Sequence, residues 1–353
     1  MPDAGAAVGN ELNPESIGRW ADLSEARMHV VSGKGGTGKT TVAAALALAL
    51  AAHGRRTLLI EVEGRQGIAR VFDVPPLPYE ERKVAIAPGG GDVFALAIDP
   101  EAALLEYLDM FYNMRRAGNA LRKLGAIDFA TTIAPGVRDV LLTGKAMEAV
   151  KRKDGGRFVY DAVVMDAPPT GRVVRFLNVN SEVAGLAKVG PIRNQADQVM
   201  GVIKSRTTTV HLVTLLEEMP VQETVDGFAE LRLAGLPTGG VFVNMVREPM
   251  LPPDALAQAA AGTLDQAAIT KGLVDAGLGP PSGKRTARMN AWAAALAVEA
   301  AEHAERVALE TQERARLRAT GRPMIELPYL SDGIDLGALY ILAARMHANG
   351  VGE

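Results

Sequence analysis

Short apolar runs bounded by turn-forming residues recur along the chain from Met28 onward: MHVVS (Met28–Ser32), TLLIEVE (Thr57–Glu63), VFALAID (Val93–Asp99), YDAVVMD (Tyr160–Asp166), TVHLVTLL (Thr209–Leu216), GVFVNMV (Gly240–Val246) and MIELPYL (Met324–Leu330). Several are nearly continuous in apolar residues, the pattern of strands covered on both faces. Helix-length segments separate many of them, and this alternation predicts an α/β fold with a doubly wound, mostly parallel sheet. The longest apolar stretch, Thr41–Ala52 (TVAAALALALAA), is too short to span a bilayer and reads as a buried helix. Before Met28 the chain is polar, small and aperiodic, so residues 1–26 are expected to be a mobile tail.

Longer helical stretches interrupt the alternation. Pro100–Leu124 carries Leu104, Leu105, Leu108, Met110, Phe111, Tyr112 and Met114, Asn178–Ser205 is less periodic, and Ala287–Thr320 is Ala-rich and densely charged. Pro249–Lys284, with Pro252–Pro253 and GPPSG at Gly279–Gly283, reads as a loop-rich or weakly helical insertion. Asp335–His347 has Leu336, Leu339, Tyr340 and Leu342 but few cations, which fits core packing better than a membrane surface.

The first loop carries chemistry. GKGGTGKT, Gly33–Thr40, fits G-x-x-x-x-G-K-[ST] and stands between a strand and an apolar helix, the context the motif requires. Gly33, Gly35, Gly36 and Gly38 let the backbone curl, Thr37 included, so that its N–H groups point at phosphate oxygens, and the following helix adds its N-terminal dipole. Lys39 would balance the β- and γ-phosphates, the Thr40 hydroxyl would ligate Mg²⁺, and Thr41 lies close enough to touch the α-phosphate. ATP and Mg²⁺ are therefore the expected cofactors. Residues 27–353 read as a single P-loop ATPase domain with helical insertions near 100–127, 178–206 and 250–320. A second lysine, Lys34, could fold back on its own phosphates, reach a nucleotide in a facing subunit, or simply be solvated.

DAPPTG, Asp166–Gly171, follows an apolar strand, so Asp166 stands at the carboxyl end where a parallel sheet presents ligands. Such an Asp holds a water of the Mg²⁺ shell or orients Thr40, and Pro168–Pro169 with Thr170–Gly171 form a loop able to respond to the γ-phosphate. In TLLIEVE, alternation places Leu59, Glu61 and Glu63 on one face. Burying an unpaired carboxylate is costly, so at least Glu63 is expected at the open edge beside the phosphate loop; a salt bridge to Arg65 or Arg70 is the alternative.

Together GKGGTGKTT, DAPPTGRVVRFL (Asp166–Leu177) and VTLLEEMPVQET (Val213–Thr224) resemble the arsenite-pump and tail-anchored-protein-targeting ATPase family, a deviant P-loop class shared with ParA- and MinD-like proteins, over most of the chain from Met28. The resemblance implies that Lys34 crosses a dimer interface to the opposite nucleotide. It matches the family's DTAPTGHTLR loop with Asp166, Pro168 or Pro169, Thr170, Gly171 and Arg175, and puts Arg172 where the family has His. It implies that Asn244 contacts adenine and that PYLSDG, beginning at Pro328 and Tyr329, edges the nucleotide. The family's Asp-Pro-Ala-His switch, whose Asp positions the attacking water, corresponds to Glu63-Gly64-Arg65-Gln66, so the catalytic Asp has become Glu.

Composition narrows the functions. With 38 Lys plus Arg against 41 Asp plus Glu, the formal charge of -3 argues against a nucleic-acid partner. Cys is absent, which excludes disulfides, iron–sulfur clusters and thiolate zinc, and removes the thiolates that hold arsenite in this family. The N-terminal residues lack a basic and an apolar region of a signal peptide, so a cytoplasmic protein is expected. The leading expectation is a Mg²⁺-ATPase whose dimer, homodimeric or formed with a paralogous ATPase, controls a hydrophobic client or membrane partner. The competing one is a slow regulatory subunit, kept open by Glu63. Met110, Phe111, Tyr112 and Met114 would line a client groove or pack as core.

Overall fold

The computed structural model describes residues 18–112, 135–186, 191–278 and 285–352. The chain forms two compact units, one of residues up to Val246 together with Leu317–Glu353, the other Arg247–Arg316. In the first unit, strands β1 (Met28–Gly33), β2 (Arg56–Glu61), β3 (Arg82–Ile86), β4 (Asp92–Ala97), β7 (Ala162–Asp166), β8 (Thr208–Thr214), β9 (Thr238–Val246) and β10 (Met324–Pro328) make an eight-stranded sheet in the order β10-β9-β8-β1-β7-β2-β4-β3. Every pairing is parallel except β3 with β4, which is antiparallel. A short hairpin, β5 (Lys153–Asp154) with β6 (Arg157–Phe158), stands apart.

Alternation along the strands feeds two apolar layers. Met28, Val30, Leu58, Ile60, Val163, Met165, Val210 and Leu212 point to one. It is closed by α4 (Pro135–Lys151), α5 (Thr170–Leu186), α6 (Pro191–Ile203) and α7 (Glu218–Leu233), through Leu142, Phe176, Ile203 and Phe228. Val31, Leu59, Val93, Val164, Val213 and Phe242 point to the other, beneath α1 (Lys39–Leu50), the short α2 (Gly67–Val71) and the C-terminal α11 (Leu336–His347). α1 is apolar all round because both the sheet and α11 cover it, and Val42–Leu50 are all buried. This is the doubly wound sheet that the apolar runs predict. In α11, Leu339, Leu342 and Met346 are buried, as a core helix requires.

β1 lies between β7 and β8, so the loop leaving β1 opens at the carboxyl edge with the β7 end on one side and the β8 end on the other. α3 (Pro100–Tyr112) begins the first long helical stretch. Met114, and the side chains of Leu108, Met110, Phe111 and Tyr112, lie outside the described residues, as do residues 1–17 of the N-terminal segment and Gly279–Gly283. Residues near the end of that segment take defined positions: Trp20–Leu23 form a 3-10 turn, and the Trp20 ring lies 5.2 Å from His211 and 5.0 Å from Phe242. In the second unit, Pro249–Lys284 is more helical than its proline content suggests, with α8 (Pro253–Ala260) and α9 (Gln266–Asp275), followed by the long α10 (Arg285–Arg318) that ends in the first unit. Among the described residues no helix is long and apolar enough to cross a membrane.

Candidate functional site

The glycine loop is held from beneath as well as by its own turns. Gly33 has φ 153°, and a Cβ there would fall 2.2 Å from the Val213 carbonyl oxygen, so β8 leaves no room for another residue. Gly38 takes the left-handed region at φ 82°, and a Cβ there would meet Asn244 Nδ2 at 2.3 Å. Asn244, buried at the end of β9, donates from Nδ2 to the Thr37 carbonyl at 2.9 Å. Thr37 is itself buried and its hydroxyl donates to the Lys34 carbonyl at 2.9 Å. Asn244 thus braces the loop.

Lys39 opens α1 and curls over the loop, its Nζ donating to the Lys34 carbonyl at 3.3 Å. Burial lowers the Lys39 ammonium from its ordinary range, opposed by the Asp166 and Glu63 carboxylates, while Arg65 adds to the lowering. Thr40, one residue on, donates from its hydroxyl to Asp166 Oδ2 at 2.6 Å. Asp166 ends β7, is 9 % exposed, and has its carboxyl pushed up to about 6 by burial; Thr40 and Lys39 pull it down, Glu61 and Glu63 add repulsion. The loop beyond Asp166 is pinned where the Ser32 hydroxyl donates to the Pro168 carbonyl at 2.6 Å. Thr170 is buried at the start of α5, and its hydroxyl has no hydrogen-bond partner among the described residues; Gly171 is exposed beside it.

Glu63 lies beyond the end of β2, with Arg65 Nε 3.7 Å from its carboxylate, so the Arg65 pairing coexists with its influence on Lys39. Glu63, Arg65, Arg138, Asp139, Pro168 and Arg172 are among the residues lining a cavity of about 200 Å³. Burial raises the Asp139 carboxyl, against the pull of Arg172, Arg138 and Arg175. Gln66, in the left-handed region at φ 55°, turns its amide to the Leu77 backbone, donating to its carbonyl at 3.1 Å and accepting from its N–H at 2.7 Å.

Lys34 is about one-third exposed, its Nζ 3.2 Å from Glu223 Oε1 on α7. Thr41 follows Thr40 in the first turn of α1. Pro328 closes β10, and Tyr329, 44 % exposed, donates its N–H to the Val246 carbonyl at 2.8 Å, which places this segment beside the end of β9 that also bears Asn244.

Two residues that sequence reasoning did not single out join the site. Glu223 falls inside VTLLEEMPVQET, but nothing in its spacing marks it as Lys34's partner. Glu61 shares the strand face of Glu63 by alternation, and the structure buries it fully, at 2 % exposure: Oε2 accepts from the Ile68 N–H at 3.1 Å, and Oε1 has no partner among the described residues.

The sequence matches the family model described as anion-transporting ATPase over residues 26–205. ATPase BagA of Mycobacterium tuberculosis is 53% identical over 337 residues, covering 95% of this chain and 97% of that protein. ATPase GET3 of Kluyveromyces lactis is 30% identical over 200 residues, 52% of this chain and 54% of that protein. The get3 ATPase of Schizosaccharomyces pombe is 30% identical over 180 residues, 49% of this chain and 51% of that protein. The match to the family model spans the glycine loop, the Glu63 segment and the Asp166 loop, and the mycobacterial relative extends it over nearly the whole length. The chain belongs to the anion-transporting ATPase family, the arsenite-pump and tail-anchored-protein-targeting ATPases that its motifs resemble.

Proposed function

We propose that this protein is a Mg²⁺-dependent ATPase that acts as a dimer, its nucleotide state governing its hold on a hydrophobic client or membrane partner. The observation that carries the reading is the 2.6 Å bond from the Thr40 hydroxyl to Asp166 at the mouth of a glycine loop whose lysine is half-buried. A hydroxyl and a carboxylate are the hard oxygen donors that Mg²⁺ takes alongside phosphate and water. When bound, the ion would neutralise charge on the β- and γ-phosphate oxygens. Thr40 would hold it, Asp166 would hold one of its waters, and Lys39 would leave the Lys34 carbonyl for the phosphates. The loop N–H groups and the first turn of α1, including Thr41, bind and orient the nucleotide. Asn244 keeps the loop in shape, while the Pro328–Tyr329 segment and Thr170–Gly171 flank it. Lys34 serves the partner's nucleotide.

In this reading Glu63 orients the water that attacks the γ-phosphate. A second reading, a slow regulatory subunit that completes a site in a paralogous ATPase, draws on one arrangement: Glu63 is one methylene longer than Asp, Arg65 stands 3.7 Å from it, and Gln66 is committed to Leu77. Misplacing a reacting group by about 1 Å can cost on the order of 100-fold in rate. The absence of Cys leaves no thiolate site for arsenite in this chain.

The test is phosphate release from MgATP by the purified chain, with mass in solution measured in ATP and in ADP. Hydrolysis abolished by Lys39→Ala supports the ATPase. ATP binding with negligible turnover, restored on mixing with a paralogous ATPase, favours the regulatory reading. Failure of the wild-type chain to bind ATP or ADP would overturn both.

A further inference from the structure

Glu61 is a charged side chain that the fold has buried without finishing its contacts. It stands at the end of β2 in register with Asp166 at the end of the neighbouring parallel strand β7. Strands lie about 4.8 Å apart, and residues in register on parallel neighbours present their side chains to the same face. That face is the one covered by α1, which begins at Lys39 and Thr40. Thr40, Asp166 and Glu61 therefore belong to one patch, Asp166 and Glu61 buried and Thr40 partly so. A carboxylate at 2 % exposure normally has donors on both oxygens, because stripping water from either one is costly. Glu61 has a donor on Oε2, the Ile68 N–H at 3.1 Å, and among the described residues none on Oε1.

A purely structural role does not call for the charge. A neutral side chain can accept from one backbone N–H, and α2 is a single turn that needs no carboxylate. Nor is Glu61 the counterion of the loop lysine: the carboxylates that raise Lys39 are Asp166 and Glu63. What would complete Oε1 is a donor that arrives with the ligand, and water held on a divalent cation is a strong one.

We infer that Glu61 is an additional carboxylate of the Mg²⁺ site, accepting from a metal-held water on Oε1 while Oε2 anchors the segment that follows Glu63. The inference rests on the nucleotide reading of the site and adds a residue to it. Its second consequence concerns the switch. Gly67, next to the anchored Ile68, packs so closely on Thr40 that an added Cβ would lie 3.2 Å from Thr40 Cγ2. One side chain thus ties the start of α2, four residues beyond Glu63, to the layer that receives the ion, so loss of the ion would loosen the segment that carries Glu63.

The experiment compares the full-length wild type with Glu61→Gln, which keeps an acceptor for Ile68 and removes only the charge. ADP affinity is measured with a fluorescent ADP across a Mg²⁺ titration, and Mn²⁺ binding to the ADP complex is followed by electron paramagnetic resonance. Removing an outer-shell partner typically costs 10- to 100-fold in metal affinity. The expected result is an Mg²⁺ midpoint and Mn²⁺ Kd raised about 10-fold or more, with Mg²⁺-free ADP affinity unchanged. Glu61→Asp, which keeps the charge, should fall between wild type and Gln, and serves as the readout should Gln fail to fold. Unchanged metal midpoints in a folded Gln or Asp variant that binds ADP normally would overturn the inference and leave Glu61 as a backbone anchor. A wild type that binds no ADP at any Mg²⁺ concentration would instead overturn the nucleotide reading, and this inference with it.

Discussion

In the proposed function Asp166 works as a carboxylate, yet it sits where a carboxylate is least comfortable. Its carboxyl, pushed up to about 6 by burial, takes up protons that the unfolded chain does not between its ordinary pKa near 3.8 and about 6. The native state therefore gains relative stability at low pH and loses it as pH rises through about 6. At 1.36 kcal/mol per pKa unit, the rise from 3.8 to about 6 puts the burden at pH 7 to 8 on the order of 3 kcal/mol. Asp166→Asn should stabilise the ligand-free protein at pH 7.5 by about that much while abolishing the Mg²⁺ enhancement of nucleotide binding. A thermal melt across pH checks the first half: the gain should shrink towards pH 4, and a gain independent of pH would assign it to packing. The loop lysines separate in the same way. Lys39→Ala should cost ADP affinity, since Lys39 is the cation proposed to meet the phosphates, whereas Lys34→Ala should leave affinity intact and impair dimer closure and turnover. Equal losses of affinity would place Lys34 in its own site.

At the scale of elements, the end of the sheet opposite the nucleotide carries a second device. His29 on β1 and His211 on β8 are buried and stacked 5.4 Å apart. Their hydrogen bonds fix the tautomers: the Gly240 N–H donates to His211 Nδ1 at 3.1 Å, so His211 Nε2–H donates to His29 Nδ1 at 3.1 Å and His29 Nε2–H to the Ala26 carbonyl at 3.2 Å. Both rings are neutral. Burial lowers His29 to about 4 and His211 well below its ordinary value. The unfolded chain therefore binds protons below about 6.5 that the folded chain refuses, and stability should fall as pH drops from about 6.5 towards 4. Chemical denaturation should give a slope of up to about 2.7 kcal/mol per pH unit from the pair, and His211→Asn should roughly halve it. A flat profile would mean that the pair is solvated. Trp20 stacks on the same His211, and a Cβ on Gly240 would reach within 2.5 Å of its ring. Trp20→Ala should cost about 2 kcal/mol, read from the same curves.

These elements also mark how far the sequence carries. The parallel strands were legible because both faces are covered, so their apolar runs are unbroken. β3 was not: RKVAI is an antiparallel edge strand, with Arg82, Lys83 and Ile86 exposed, and alternation leaves it looking like a loop. Trp20 was grouped with the tail because one aromatic in a polar stretch has no period, and its partners, His211 and Phe242, are brought to it only by the sheet. In the site, GKGGTGKT and DAPPTG were legible because their chemistry depends on residues close in sequence. The bonds from Thr40 to Asp166, Asn244 to Thr37 and Lys34 to Glu223 depend on β7 and β8 flanking β1 and on β9 lying beyond β8, an order that spacing does not reveal. Glu61 was visible as a carboxylate on a covered strand, but only its full burial and its bond from the Ile68 N–H distinguish it from Glu63.

At the scale of the whole molecule, the question is what a lysine that would act on a partner's nucleotide does in a single chain. Here Lys34 is paired with Glu223 of α7 at 3.2 Å. If closure of the proposed dimer draws Lys34 across the interface, each protomer first gives up that pair. Exposed pairs contribute roughly 0.2–1 kcal/mol, and a dimer loses one from each protomer. Glu223→Gln should therefore tighten ATP-dependent dimerisation by about 2- to 30-fold in Kd, with nucleotide affinity of the single chain unchanged. Sedimentation in MgATP over a range of protein concentrations reads the change, and raised salt should shrink it, because a half-exposed pair is screened. A weaker dimer in Glu223→Gln would reverse the assignment: Glu223 would then hold Lys34 extended towards the partner, and the single chain would already carry the lysine in its working pose. Dimerisation identical in the variant would mean that the pair contributes nothing, and that whatever restrains closure lies in the Glu63 segment instead.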